Sequence, residues 1–178
     1  QPGWANLCNH LQQSEQLLTT GLANQKDNRM YDRFRHRIMF PIRDTRGRIV
    51  GFGGRSIDNT PPKYLNSPET TLFHKNNELF GLYEARKSNS KLPFLLVTEG
   101  YMDVIALHQH NITQAVATLG TAINKKHLHK LLRYTPTLIF CFDGDNAGQA
   151  AAWKALCISL PFLRDGSFEF DLRASYKP

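Results

Sequence analysis

The sequence predicts an α/β protein, a parallel sheet flanked by helices and preceded by a basic mixed α+β subdomain. Three observations support that class. After residue 91, apolar runs of strand length alternate with stretches of helical length. Between residues 33 and 55 the apolar pattern has period two and is interrupted by turn residues. Two of the later runs stop abruptly at acid and glycine: Leu95-Leu96-Val97-Thr98-Glu99-Gly100 and Leu138-Ile139-Phe140-Cys141-Phe142-Asp143-Gly144-Asp145.

Residues 4–23 are expected to be helical, since Leu7, Leu11, Leu17, Leu18 and Leu22 recur near helical spacing and Gly21 stands near the end. The polar stretch 24–32 is expected to be a linker. In the next segment Phe34, Ile38, Phe40 and Ile42 fall on one face of a strand, and Arg33, Arg35, Arg37 and Arg43 on the other. Asp44-Thr45-Arg46-Gly47 predicts a turn, after which Arg48-Ile49-Val50-Gly51-Phe52 returns as the second strand of a hairpin. Pro41 points to an edge position or a bulge. Residues 59–80, with Pro61, Pro62 and Pro68, predict an ordered loop, then a short helix at 82–86 and a boundary at 88–91. Strands at 94–98, 114–119 and 137–142 then alternate with helices at 101–110, 125–133 and 147–160. That order implies a parallel sheet with right-handed crossovers.

With 178 residues, 41% of them hydrophobic, the chain can bury a real core. Its net charge of +7 favours an anionic partner. The charge is concentrated: residues 26–91 hold fourteen Lys/Arg against seven Asp/Glu, whereas residues 92–178 hold eight against seven. A polyanion-gripping part therefore precedes a nearly neutral part that carries the acid motifs. Cys8, Cys141 and Cys157 form no CxxC pair, which, with no signal peptide, argues for a reducing, cytoplasmic setting. No apolar run approaches the roughly 18 residues that a membrane helix needs. The first residue is not Met, so an excised piece of a longer protein is expected.

In an open parallel sheet, ligands bind at the carboxyl ends of the strands. Glu99, Asp143 and Asp145 gathered there would repel one another unless a cation neutralised them. Mg²⁺ suits that role, because it takes hard oxygen ligands and is usually held by one or two carboxylates plus substrate phosphates. Taken singly, Glu99 is equally a helix cap, and Asp143-Gly144-Asp145 equally a polar turn with an N-cap. Their shared place at strand mouths favours metal. Arg33, Arg35, Arg37, Arg43, Arg46, Arg48 and Arg55, with no lysine among them, form either a solvated face or a phosphate-recognising one. Tyr31, Phe34 and Tyr64 are either stacking surfaces for unpaired bases or core and rim residues. Gly51-Phe52-Gly53-Gly54-Arg55 lacks the Lys-Ser/Thr of a phosphate loop, so a hairpin end with positive φ is expected there. His108/His110 and His127/His129 stand at i, i+2 in predicted helices and share no face, which argues against a zinc site.

Glu99-Gly100 and Asp143-x-Asp145, 44 residues apart on alternating strands, resemble the Toprim domain of primases, topoisomerases and some nucleases. Longer strings resemble the bacterial replicative DNA primases. They are Tyr31-Asp32-Arg33-Phe34-Arg35, Phe40-Pro41-Ile42-Arg43-Asp44, Gly51-Phe52-Gly53-Gly54-Arg55, Pro62-Lys63-Tyr64-Leu65-Asn66-Ser67-Pro68-Glu69-Thr70, Phe73-His74-Lys75 and Glu99-Gly100-Tyr101-Met102-Asp103-Val104. The resemblance runs from Gln1 to Gly166. It implies a basic N-terminal subdomain of a primase catalytic core at 1–91, a truncated Toprim domain at 92–166 and a divergent tail at 167–178. It also implies that Glu99, Asp143 and Asp145 are catalytic and bind Mg²⁺, with Mn²⁺ as a substitute. Arg55, Lys63 and Lys75, and more weakly Arg33 and Arg35, would meet template or nucleotide. The implied partners are single-stranded DNA, NTPs and an RNA primer, at the bacterial replication fork. The family's zinc-binding domain, and the domain that meets the replicative helicase, lie outside this sequence.

After Gly166 the family continues with a strand ending in a second Asp-x-Asp, which has no counterpart here. Phe168-Glu169-Phe170 resembles only its start, and Asp171 is not a substitute. Template-directed synthesis of short RNA primers is therefore expected of the enzyme, with weak or no activity in this piece. The rivals are another Toprim enzyme, such as a topoisomerase using Tyr101 or a nuclease, and a non-catalytic DNA-binding module whose acids only cap helices.

Overall fold

Gln12 takes φ 52°, which breaks the expected helix into α1 (Asn6–Leu11) and α2 (Ser14–Thr19). The coordinates, a computed structural model, describe residues 4–89, 91–165 and 169–175. The N-cap position of α1 is Ala5, which has no capping side chain. The buried carboxylate of Asp32 does the work instead, accepting the amides of Leu7 at 2.8 Å and Cys8 at 3.0 Å. The polar stretch that follows is no linker. β1 (Ala23–Lys26) and β2 (Arg29–Asp32) pair antiparallel about Asp27 and Asn28, at φ 48° and 60°. Positive φ at both central residues is the signature of a tight hairpin turn.

β3 (Arg37–Arg43), β4 (Ile49–Ser56) and β5 (Tyr64–Asn66) form a three-stranded sheet in that order, so Pro41 lies on an edge strand as its chemistry requires. The strand begins at Arg37, after His36 at φ 51°, and Arg33 and Arg35 therefore lie before it and not on its face. Ile42 is buried but Ile38 is 53% exposed, so the expected apolar face is only partly inward. The turn forms as expected: Gly47 at φ 86° donates to the Asp44 carbonyl, and Asp44 Oδ1 accepts the amides of Arg46 and Arg48. Gly51, Gly53 and Gly54 lie inside β4, without positive φ. Two of them are glycine for packing: a Cβ at Gly51 would stand 3.0 Å from the Phe73 ring, and one at Gly54 2.9 Å from Phe34. The expected loop at 59–80 contains β5.

The chain divides into two compact units, Gln1–Ile42 with Ile49–His74, and Arg43–Arg48 with Lys75–Pro178. In the second, α3 (Leu82–Ser88) precedes the βα alternation. β6 (Leu95–Thr98), α4 (Tyr101–Gln109), β7 (Ala115–Ala117), α5 (Lys125–Leu131), β8 (Thr137–Asp143) and α6 (Asn146–Ser159) follow, then a 3₁₀ turn (Leu160–Asp165) and β9 (Glu169–Ser175). The sheet is parallel, in the order β7-β6-β8-β9. Leu95, Val97, Leu138, Phe140 and Phe142 pack on one face against Leu82 and Ala85 of α3, Leu128 and Leu131 of α5 and Ala155 of α6. On the other face Ala115 and Ala117 pack with Leu96 of β6 and Val104 and Leu107 of α4. Strands lined on both faces are apolar throughout, which is why their runs stood out in the sequence.

β9 extends five residues beyond Phe170, where the resemblance to a strand ended; Phe168 and Gly166 lie outside the described residues. The chain moves from β6 to β7 on one side and then returns to place β8 on the other. The direction of winding thus reverses between β6 and β8. In open α/β sheets that reversal opens a crevice beyond the carboxyl ends of the two strands.

Candidate active site

The mouths of β6 and β8 are where the acids stand. Glu99 follows the last residue of β6, and Asp143 is the last residue of β8. Glu99 Oε1 accepts the backbone amide of Asp143 at 2.9 Å, which ties the two strand ends together. Asp145 is the N-cap of α6, where its Oδ1 accepts the Gly148 amide at 2.8 Å. All three acids are exposed, and among the described residues none has an ion-pair partner. Asp103, in the first turn of α4, turns inward on its own helix and accepts the Gly100 amide at 3.0 Å. Burial pushes the Cys141 thiol up, and the charges of Asp103 and Asp143 push it the same way.

Among the described residues no three or more His, Cys, Asp or Glu are placed to hold a metal ion together, so Glu99, Asp143 and Asp145 are not gathered into one ligand set. The free oxygens of these acids nevertheless have the chemistry of ligands to a hard cation. Each of Glu99 and Asp145 commits one oxygen to an amide and keeps the other, and Asp143 keeps both. Mg²⁺ needs no more than one or two such carboxylates where substrate phosphates complete its shell.

The candidate cations divide between the two units. Arg33, Arg35, Arg55 and Lys63 belong to the first, and Lys75 to the second, with the acids. Arg33 is half-buried and braces its own unit, donating to Asn24 Oδ1 at 3.5 Å and to the Asn66 carbonyl at 3.2 Å. Its burial holds its pKa below the usual guanidinium range. Arg35 donates to the Asp32 carbonyl at 2.7 Å, and its guanidinium lies 4.6 Å from the Trp4 ring centre and 5.1 Å from that of Tyr31. Arg55 and Lys63 flank the 44%-exposed ring of Tyr64, at 5.8 and 5.9 Å. The two cations and the part-exposed aromatic ring form a surface suited to an unpaired nucleic acid strand. Tyr101, the nucleophile of the topoisomerase alternative, is 5% exposed, with its ring against Phe80.

Two residues of this region were given no functional role from the sequence. A Cβ on Gly148 would stand 2.7 Å from the carbonyl carbon of Asp143, 2.9 Å from its nitrogen and closer still to its oxygen. Only glycine lets α6 approach the end of β8 this closely. His127, on α5, is fully buried, and its Nε2 donates to the Lys75 carbonyl at 3.3 Å. Gly148 had a sequence signal, a glycine in the first turn of the helix expected after Asp145; His127 stood out only as half of a histidine pair unsuited to zinc.

The chain is similar to known proteins along most of its length. Residues 1–86 match the family described as DNA primase catalytic core, N-terminal domain, and residues 94–160 match the Toprim domain. The DNA primase of Pseudomonas aeruginosa is 56% identical over 171 residues, and that of Escherichia coli K12 51% identical over 170. Each alignment takes in 93% of this chain, but it spans only 26% and 29% of those relatives. Among solved structures, a DnaG primase catalytic domain bound to single-stranded DNA superposes with a TM-score of 0.92 at 48% identity, covering 98% of this chain and 56% of that one. A DNA primase domain from P. aeruginosa gives 0.91 at 53% identity, covering 99% and 57%.

Proposed function

Because the chain belongs to the bacterial DNA primase family, in the stretch described as its catalytic core, we propose that it carries the nucleotidyl-transfer centre for short RNA primers made on single-stranded DNA. The observation that bears most weight is the tie between Glu99 and the amide of Asp143 at the point where the sheet reverses its winding. That tie supports the reading, because in open α/β sheets ligands bind in the crevice beyond the strand ends at such a reversal.

In the proposed reaction a 3′-hydroxyl oxygen bonds to the α-phosphorus of an incoming NTP, and the bond to pyrophosphate breaks. Mg²⁺, or Mn²⁺ in its place, would be held by Asp143, Asp145 and Glu99, and would neutralise charge on the phosphate oxygens. Glu99, anchored at one oxygen, presents the other either to the cation or to the proton that leaves the hydroxyl. Asp145 keeps one oxygen on the α6 cap, so its orientation is fixed before any ligand arrives. Lys75 shares the compact unit of the acids, and we assign it to the triphosphate. Arg55 and Lys63, beside Tyr64, are assigned to the template, and Arg33 and Arg35 to bracing the elements that carry them.

A template-dependent priming assay tests the centre. Asp143→Asn, Asp145→Asn and Glu99→Gln, each in a full-length primase carrying this segment, are expected to lose at least about a hundredfold in incorporation, with single-stranded DNA affinity kept. Wild-type rates in the two aspartate variants would refute the centre. A wild-type rate in Glu99→Gln alone would leave Glu99 as a brace for β8.

A further inference from the structure

We propose that His127 and Asn124 are positioning residues for Lys75: α5 grips the backbone of the turn that begins at Lys75 and so sets where its ammonium is presented. This rests on the assignment of Lys75 to the triphosphate. Residues 75–77 form a turn outside any strand or helix, and its carbonyls need donors. α5 and its cap supply them. His127 Nε2 donates to the Lys75 carbonyl at 3.3 Å, and Asn124 Nδ2 to the Asn76 carbonyl at 3.1 Å. Lys130, one helical turn on, reaches the Glu78 carboxylate at 3.1 Å. Three side chains of α5 and its cap thus hold three of the four residues from Lys75 to Glu78.

The residue types at these positions are costly if their task is only structural. His127 is fully buried, and its Nδ1 has no hydrogen-bond partner among the described residues. An unpaired buried polar atom opposes folding, and a leucine of similar bulk would fill the site without it. What an imidazole adds is the donor on Nε2. Asn124 caps α5 by accepting the His127 amide at 3.0 Å, a task that aspartate performs equally well. What the amide adds is the donor on Nδ2. Both choices are accounted for by the turn they hold. Fixing the backbone at Lys75 removes the cost of ordering the turn from the cost of binding a ligand there.

The test uses a full-length primase carrying this segment, with KM for NTP, kcat and single-stranded DNA affinity measured separately. His127→Leu and Asn124→Asp are expected to raise KM for NTP by about tenfold or more, since small misplacements of a contact cost that much. DNA affinity should stay unchanged. His127→Gln, which keeps a donor at similar reach, should restore KM. In a Lys75→Ala background, His127→Leu and Asn124→Asp should add no further loss. Asn124→Asp keeps the cap, so the question stays answerable if the leucine variant does not fold. Additive losses on top of Lys75→Ala, or a normal KM in Asn124→Asp, would overturn the positioning role alone. A wild-type KM in Lys75→Ala would overturn the assignment of Lys75, and the positioning role with it.

Discussion

At His127 the cost of burial becomes a pH dependence. Desolvation lowers its pKa from 6.5 to about 4; the bond to the Lys75 carbonyl opposes that shift, and the charge of Lys130 adds to it. In the unfolded chain the imidazole titrates near 6.5, so between that pH and about 4 the unfolded state holds a proton that the folded state does not. Stability present above pH 6.5 is therefore lost as pH falls toward 4, to a total of about 3 kcal/mol. Denaturant unfolding of wild type and His127→Gln at pH 7 and at pH 4.5 reads the effect, and the wild type should lose more. Equal losses would mean that the folded protein takes up the proton in place. The sequence could not reveal this residue, because its partner lies 52 positions away and its neighbour His129 directed attention to zinc spacing. Glu99 and Asp143 were legible because each ends an apolar run.

α6 and β8 meet at Gly148, and that contact sets the geometry of two acids at once. The helix carries the Asp145 cap, and the strand ends in Asp143. Alanine at position 148 would favour the helix by about 1 kcal/mol on propensity alone. Its methyl group would meet backbone, which yields little, and overpacking of this kind costs about 1–3 kcal/mol. The contact should win. Gly148→Ala is expected to lower Tm and to cut primer synthesis at least about tenfold, with single-stranded DNA binding preserved. A variant both more stable and fully active would show that the helix can shift without moving Asp143. The strands that the sequence revealed most plainly are β6, β7 and β8, which are covered on both faces. The β1–β2 ribbon stayed hidden because its strand residues 24–26 and 29–31 are not buried and show no alternation. The glycines of β4 were misjudged as a turn because the rings of Phe73 and Phe34 that require them come from other parts of the chain.

Over the whole molecule, the number of acids at the sheet's mouth limits what these residues can do unaided. β9 runs parallel to β8, with Ser175 opposite Asp143, Asp171 opposite Ile139 and Glu169 opposite Thr137. At about 3.3 Å per residue, Asp171 lies roughly 13 Å below the mouth along the strand direction. In this register no Asp or Glu among the described residues of β9 stands opposite Asp143, where the resemblance to primases implies a second Asp-x-Asp. Two-metal transfer needs enough carboxylates to hold both ions against the substrate's own charge. With Glu99, Asp143 and Asp145 alone, residues 1–178 assayed by themselves should bind Mn²⁺ weakly and with a stoichiometry near one by calorimetry. They should make little or no template-dependent RNA, while still binding single-stranded DNA through the basic segment. Restoring an acid pair at the end of β9, at Arg173 and Ser175, should strengthen Mn²⁺ binding, because both positions lie beside the last residues of β8. Robust synthesis by residues 1–178 unaltered would mean that three acids suffice, and that the substrate's phosphates supply the rest of the metal's ligands.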